Sequence, residues 1–456
     1  MLRFFRINDP YRLLFIFVIL IVVRIVQEHF IVGTSYFELK WLLLGEWLGR
    51  GYTMYDQTYD YTGPLAVMVF KILNNLFGRS PMAGEVLSSL IIIIQAGIFN
   101  ALLLKNKVYD ENGYLPALLY VLLALAVPDF KALSPQLMSA TFVLLALRNV
   151  FRRIGNQVTD ELFLTSGIFI GLAAMLYLPS AVFFLVFLFS LVLFSSAILR
   201  RLLLYFFGFL LVFVACGLYF YVVDSFQVFL ERAIYKGILL DSETSFSFFK
   251  LIRLSVPFLV ILLLSVIQKL GSIRMTNFQQ KVDQVMWILF LGGISTVLLS
   301  NERGGHELIF VVPVVAYFWT YYIILLRRML FKAIMPALLV FGLLIFSMLA
   351  YKHWTDALLI GSGETNDNTL VLGERLESYS LSTVSSPFFN NTIGLEVLSE
   401  LNNYQEAESF YLLFLEIDPR VVSDEMEIMP QLMQRFPYIE SNYLKEGSST
   451  YRKISN

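Results

Sequence analysis

The stretch Gly51-Tyr52-Thr53-Met54-Tyr55-Asp56-Gln57-Thr58-Tyr59-Asp60-Tyr61-Thr62-Gly63-Pro64-Leu65 decides how this chain is read. It is polar and aromatic, carries two carboxylates and ends on a Gly-Pro break. An amphipathic segment leads into it, an apolar helix starts at Pro64, and intensely apolar sequence lies on both sides. In a membrane protein, a polar loop held against the bilayer is where chemistry is expected.

Of the 456 residues, 57% are hydrophobic and 15% charged. The mean hydropathy is +0.70. No soluble domain hides so many apolar runs, so the chain reads as an α-helical multi-pass membrane protein. The net charge of −1 implies no nucleic-acid surface. The single cysteine, Cys216, lies in an apolar run, so neither a disulfide framework nor a cysteine-based metal site is available. The first apolar stretch, residues 11–31, has no small-residue cleavage site after it and predicts a retained helix.

Apolar runs predict about 11 spans, at 11–31, 84–104, 114–128, 135–150, 162–178, 180–198, 202–223, 250–268, 284–300, 308–326 and 334–350. Short runs beside Pro128 and Pro179 predict helices that bend at the membrane edge. Lys and Arg fall in every second loop: Arg3, Arg6 and Arg12; Lys105 and Lys107; Arg148, Arg152 and Arg153; Arg200 and Arg201; Lys269, Arg274 and Lys281; Arg327, Arg328 and Lys332. The positive-inside rule then puts the N-terminus in the cytoplasm and the C-terminus outside. Residues 1–350 form the membrane domain, with a first external loop at 32–83, and 351–456 form a small external C-terminal domain.

Within the first loop, Phe37, Trp41, Leu44 and Leu48 recur at helical spacing as one apolar stripe, with Glu38, Gly45, Glu46 and Gly49 on roughly the opposite face. This predicts a helix lying in the membrane interface, its acidic face toward an aqueous cavity. Pro64 opens a second short helix that Gly78 stops, placed at the outer surface. The order of span, interfacial helix, Gly51, Tyr55-Asp56, Gly63-Pro64-Leu65, apolar helix and Leu76-Phe77-Gly78 resembles the start of the GT-C superfamily of bacterial membrane glycosyltransferases. Those enzymes use polyprenyl-phosphate-linked donors. The resemblance implies an acidic base in this loop that deprotonates an acceptor hydroxyl or amine. Glu38 matches that position best, followed by Asp56, with Asp60 third. The bland reading is that Glu38 and Glu46 solvate the helix while Asp56 and Asp60 cap turns.

Between the third and fourth spans lies Pro128-Asp129-Phe130-Lys131-Ala132-Leu133-Ser134-Pro135-Gln136. Many GT-C enzymes carry a second acid at the head of the fourth helix, where this chain has Gln136, with Asp129 a few residues earlier. Further on, Ser300-Asn301-Glu302-Arg303-Gly304-Gly305-His306-Glu307 precedes an apolar run with Pro313. It resembles the family's Arg-x-x-His element, with Glu307 where an aromatic is usual. The resemblance implies that Arg303 and His306, with Tyr55 and Asp129, hold the lipid phosphate of the donor; a hydrated hairpin is the plainer reading. No P-loop or other glycine-rich phosphate motif occurs in the cytoplasmic loops. A divalent metal is chemically possible, but the sequence supplies no ligand set for one, so any cofactor is unknown.

After about Tyr351 the composition turns polar. Strands are expected at Thr369 to Gly373 and Arg420 to Asp424, and a helix from Leu398 to Leu415, in a small α/β domain. Asn390-Asn391-Thr392 fits a glycosylation acceptor pattern. The whole predicts a hexosyl or pentosyl transferase of the bacterial inner membrane. It would move sugar from a polyprenyl-phosphate carrier to a glycan, lipid or protein acceptor of the envelope on the periplasmic side. The alternative is a non-catalytic subunit of the same fold that scaffolds an envelope complex. A transporter is disfavoured, because Arg24 is the nearest approach to an ionisable group buried mid-span.

Overall fold

A computed structural model describes residues 4–30, 34–58, 60–155, 159–194, 199–235, 237, 248–270, 275–300, 304–326, 341–342, 345–346, 359–360, 369–372, 404–424 and 426–454. The architecture is mainly helical. The first helix is α1 (Tyr11–Phe30). The connection that follows holds β1 (Thr34–Ser35), α2 (Tyr36–Gly49) and α3 (Pro64–Phe77). Then follow α4 (Pro81–Lys105), α5 (Leu115–Leu125), α6 (Pro135–Ile154), α7 (Asp160–Leu176), α8 (Val182–Phe194), α9 (Leu199–Val222), α10 (Phe248–Leu270), α11 (Asn277–Leu299) and α12 (Val312–Leu325). Among the described residues, α4, α9, α11 and the stretch Leu251–Lys269 of α10 are long and apolar enough to cross a membrane. The expected span at 334–350 lies mostly outside the described residues, as does Asn390-Asn391-Thr392.

Local sequence fixes the helix starts. Ser35, Ser80 and Ser134 each accept a hydrogen bond from a backbone N–H of the first turn of α2, α4 and α6. Pro81 and Pro135 then stand where a missing N–H costs nothing. The two proline sites form short 3-10 turns, Pro128–Lys131 and Leu178–Ala181. Small residues let helices touch. A Cβ on Gly208 of α9 would lie 2.3 Å from the Leu164 carbonyl oxygen of α7, and one on Gly167 would lie 2.0 Å from that of Tyr205. This is the close backbone approach by which helices associate in lipid.

Contacts between connections sort the two ends of the bundle. At one end, Tyr321 and Gln279 both donate to the Val108 carbonyl, and the Tyr114 N–H donates to that of Phe5. Arg201 pairs with Asp160 there at 3.0 Å. At the other end lie α2, α3, the Pro128 turn and the segment around Gly304.

The two loop helices exchange the roles expected of them. The α2 stripe is covered by protein rather than lipid: Trp41 meets Phe70 of α3, while Leu44 and Leu48 meet Val67. Gly45 also faces α3, where a Cβ would lie 2.5 Å from the Phe70 carbonyl oxygen. It is α3 that leaves an apolar row exposed, Met68, Ile72 and Leu76, at the spacing of an interfacial helix. The remaining face of α2, Leu39, Leu43 and Trp47, packs on the C-terminal region. That region contains β2 (Leu359–Ile360), β3 (Thr369–Leu372), α13 (Tyr404–Ile417), β4 (Val421–Asp424), β5 (Tyr443–Lys445) and β6 (Thr450–Lys453). Its four-stranded sheet runs β3-β4-β6-β5, with β3 parallel to β4 and the other pairs antiparallel. β1 pairs with β2, which ties the start of α2 to this region.

Candidate active site

Glu38 stands in the first turn of α2, where its N–H donates to the Ser35 hydroxyl at 3.2 Å. Its Oε1 is buried and has no hydrogen-bond partner among the described residues. Close by, Lys131 pairs with Glu85 at 2.9 Å. Burial pushes the Glu38 pKa up to about 8; the Glu85 charge adds to this and Lys131 opposes it.

Asp129 sits on the Pro128 turn, which three side chains from α1 and α4 hold in place. Arg24 and Ser88 both donate to the Phe130 carbonyl, at 2.7 and 2.6 Å. Gln27 donates to that of Leu125 at 2.8 Å. These bonds satisfy carbonyls that the broken helix leaves open. They also explain Arg24, which anchors a turn. The Asp129 pKa is pushed up to about 7 by burial, against hydrogen bonds from the N–H groups of Gly305 and of Asp129 itself. Its Oδ2 is buried and has no hydrogen-bond partner among the described residues. A Cβ on residue 305 would lie 2.0 Å from that oxygen, so only glycine allows the contact.

His306 is buried between the edges of Trp41 and Phe37, with ring centroids 5.1 and 5.7 Å away. Neither ring nitrogen has a hydrogen-bond partner among the described residues, and burial lowers its pKa to about 3. The neutral ring offers one donor and one acceptor but no charge. Glu307 is 1% exposed. Its Oε1 accepts from Ser300 at 3.0 Å and from Gln136 and Tyr177 at 3.3 Å each; Oε2 accepts from the Gly304 N–H at 3.0 Å. Burial raises its pKa to about 7, against these donors. The amide at the head of α6 is therefore the partner of an acid placed elsewhere. Above this network lies a cavity of about 40 Å³, lined among others by Trp41, Tyr61, Gln136, Tyr177, Pro179 and Ser300. It has room for a few waters, whereas small-molecule pockets usually span hundreds of Å³.

The opening stretch is a brace beside this corner. Tyr55 takes φ 68, and its hydroxyl donates to the Thr62 carbonyl at 2.7 Å. Its ring packs against Phe220 and Phe229. Arg232, in the turn Phe229–Tyr235, donates to the carbonyls of Tyr55 and Asp56. The Asp56 side chain is exposed. Asp60 is buried and pairs with Lys40 of α2 at 3.0 Å. The fold thus gathers Glu38, Asp129 and His306, commits Asp60 to an ion pair and leaves Asp56 in the open. Arg303 lies outside the described residues. Among the described residues, no three His, Cys, Asp or Glu side chains gather as metal ligands.

Sequence reading missed Glu307 as the centre of a network, although its departure from the aromatic pattern was visible. It also missed the Glu85–Lys131 pair, which only the fold brings to Glu38.

No family model matches the sequence, and no curated protein matches it. Solved structures do. ArnT from Cupriavidus metallidurans, bound to undecaprenyl phosphate, superposes over 98% of this chain and 99% of its own, with a TM-score of 0.55 and 14% identity. The archaeal oligosaccharyltransferase AglB from Archaeoglobus fulgidus, in complex with an inhibitory peptide and a dolichol phosphate, covers 98% of this chain and 75% of its own, at TM-score 0.48 and 12% identity.

Proposed function

From a chain with the fold of the GT-C membrane transferases, we propose transfer of a sugar from a polyprenyl-phosphate donor to an envelope acceptor, on the periplasmic face of a bacterial inner membrane. The observation that carries this reading is a pair of half-buried acids, Glu38 and Asp129, each with one carboxyl oxygen shut off from solvent. Among the described residues those oxygens have no hydrogen-bond partner, and the pKa values are raised to about 8 and about 7. Groups poised near neutral pH suit proton transfer. The ArnT match adds support, because it spans both chains almost fully and that protein holds a polyprenyl phosphate.

In the proposed reaction an acceptor hydroxyl or amine attacks the anomeric carbon of the donor sugar. The bond from that carbon to the phosphate oxygen breaks, and polyprenyl phosphate leaves with the electron pair. The acceptor's proton passes to Glu38. Arg303, beside Gly304, grips the phosphate, with His306 as a neutral donor and Asp129 on the same donor side. Asp56 is the alternative base and Tyr55 braces its loop.

Glycan analysis of strains carrying a deletion, Glu38→Gln, Asp129→Asn or Asp56→Asn tests this. The deletion and Glu38→Gln abolish the same glycan, and a positioned base accounts for roughly a 10²–10⁴-fold loss. If Asp56→Asn alone does so, the base has been misassigned. The second reading, a scaffold subunit, is favoured by the cavity of about 40 Å³, too small for a sugar ring. It replaces the first if the deletion leaves every glycan intact and an envelope complex falls apart.

A further inference from the structure

At the end of the bundle away from the acidic corner, a groove of about 480 Å³ runs between α4 and α6. Its lining is graded. Gly97, Ile98, Ala101 and Leu102 form an apolar floor, and Lys105, Arg148 and Arg152 close the end, with no acidic side chain among the lining residues. Gly97 and Lys105 are eight residues apart on one helix, so the apolar part extends about 12 Å along the axis from the cations. The Asn106 side chain donates to the Leu102 carbonyl at 2.7 Å, which ends α4 cleanly and leaves Lys105 at the rim.

Arg201 and Lys269, two other cations at this end, have carboxylate partners, Asp160 and Asp283. Lys105 and Arg148 are exposed, and among the described residues no carboxylate pairs with either. Further along α4, Leu90 and Ile94 are exposed apolar side chains on a helix long enough to span. The groove therefore opens on lipid at its apolar end and on the headgroup layer at its cationic end.

We propose that this groove binds one anionic glycerophospholipid, its phosphate between Lys105 and Arg148 and an acyl chain along Gly97 to Leu102. Basic pockets between helix ends hold acidic headgroups because each cation near the membrane surface attracts them. The apolar floor adds what a free anion lacks, burial of the upper acyl chain. The site lies at the opposite end of α4 from Glu85 and Lys131, so it is separate from the acidic corner and does not depend on the transferase reading.

Native mass spectrometry of the full chain in detergent, titrated with phosphatidylglycerol, phosphatidylcholine or inorganic phosphate, tests it. We expect one saturable phosphatidylglycerol, little phosphatidylcholine, and no displacement by excess inorganic phosphate. Lys105→Gln with Arg148→Gln weakens phosphatidylglycerol binding about thirtyfold, roughly fivefold per cation. Ala101→Trp fills the floor without changing charge and also abolishes binding. Arg200→Gln, a control at the same end, changes it little. Thermal melting of each variant identifies any that fail to fold, and either groove variant alone decides the question. Equal phosphatidylglycerol binding by wild type and folded groove variants overturns the proposal. So does an equal loss in Arg200→Gln, which would report diffuse charge, or displacement by phosphate alone.

Discussion

Glu38 owes its raised pKa to burial first, and that origin fixes the sign of two pH effects. A general base works only when ionised, so if Glu38 is the base of the proposed transfer, its rate should rise by roughly tenfold per pH unit below the pKa and level off above it. The plateau should begin near the value of about 8. Stability runs the other way. The folded pKa lies above the ordinary 4.5, so the folded state holds its proton more tightly than the unfolded one. The contribution is fully present below the unfolded value and is lost as pH rises through about 8. Glu38→Gln therefore melts higher than wild type at about pH 9 and equally at about pH 4. Thermal melts across that range, beside initial rates, check both signs. Sequence alone could place Glu38 at the end of the first span. It could not show the Glu85 and Lys131 charges beside it, because those residues lie 47 and 93 positions further along the chain.

The helices of the first loop show what periodicity conveys and what it omits. The stripe Phe37, Trp41, Leu44, Leu48 correctly marks a buried face, but hydrophobic spacing cannot tell protein from lipid as the covering partner. The deciding fact is that α2 has a second apolar row, Leu39, Leu43 and Trp47, for the C-terminal region. A helix covered on two sides has no face left for a bilayer, and α3 takes that place. The same limit applies to α7 and α9, where glycines, silent in a hydropathy profile, set the contact. Gly208→Ala should force α9 away from the Leu164 carbonyl and destabilise the protein by ~1–3 kcal/mol. Ala101→Ser, on an exposed position of α4, should change the melting temperature little. Melting in detergent compares the two.

On the scale of the whole molecule, the alternation of Lys and Arg is mirrored by the contacts that draw the basic turns to one end and the acidic corner to the other. Which end faces the cytoplasm follows only from the positive-inside rule. In a Cys216→Ser background, Glu446→Cys should react with an impermeant maleimide in intact spheroplasts, and Lys107→Cys only after lysis. The reverse pattern would invert the orientation and move the proposed chemistry to the wrong compartment. The two-sided layout was legible because charge bias is written locally in each loop. The covering of α2 by a distant sheet was not, because it joins residues more than 300 positions apart.

That long-range pairing has a temporal side. Thr34 and Ser35 find their strand partners at Ile360 and Leu359, and Leu39 and Leu43 find their cover on residues made later still. While the ribosome is producing the middle spans, the start of α2 has no sheet above it. The outer face of α2 is therefore among the last surfaces of the protein to be covered, and a nascent chain interrupted before residue 359 leaves Leu39, Leu43 and Trp47 bare.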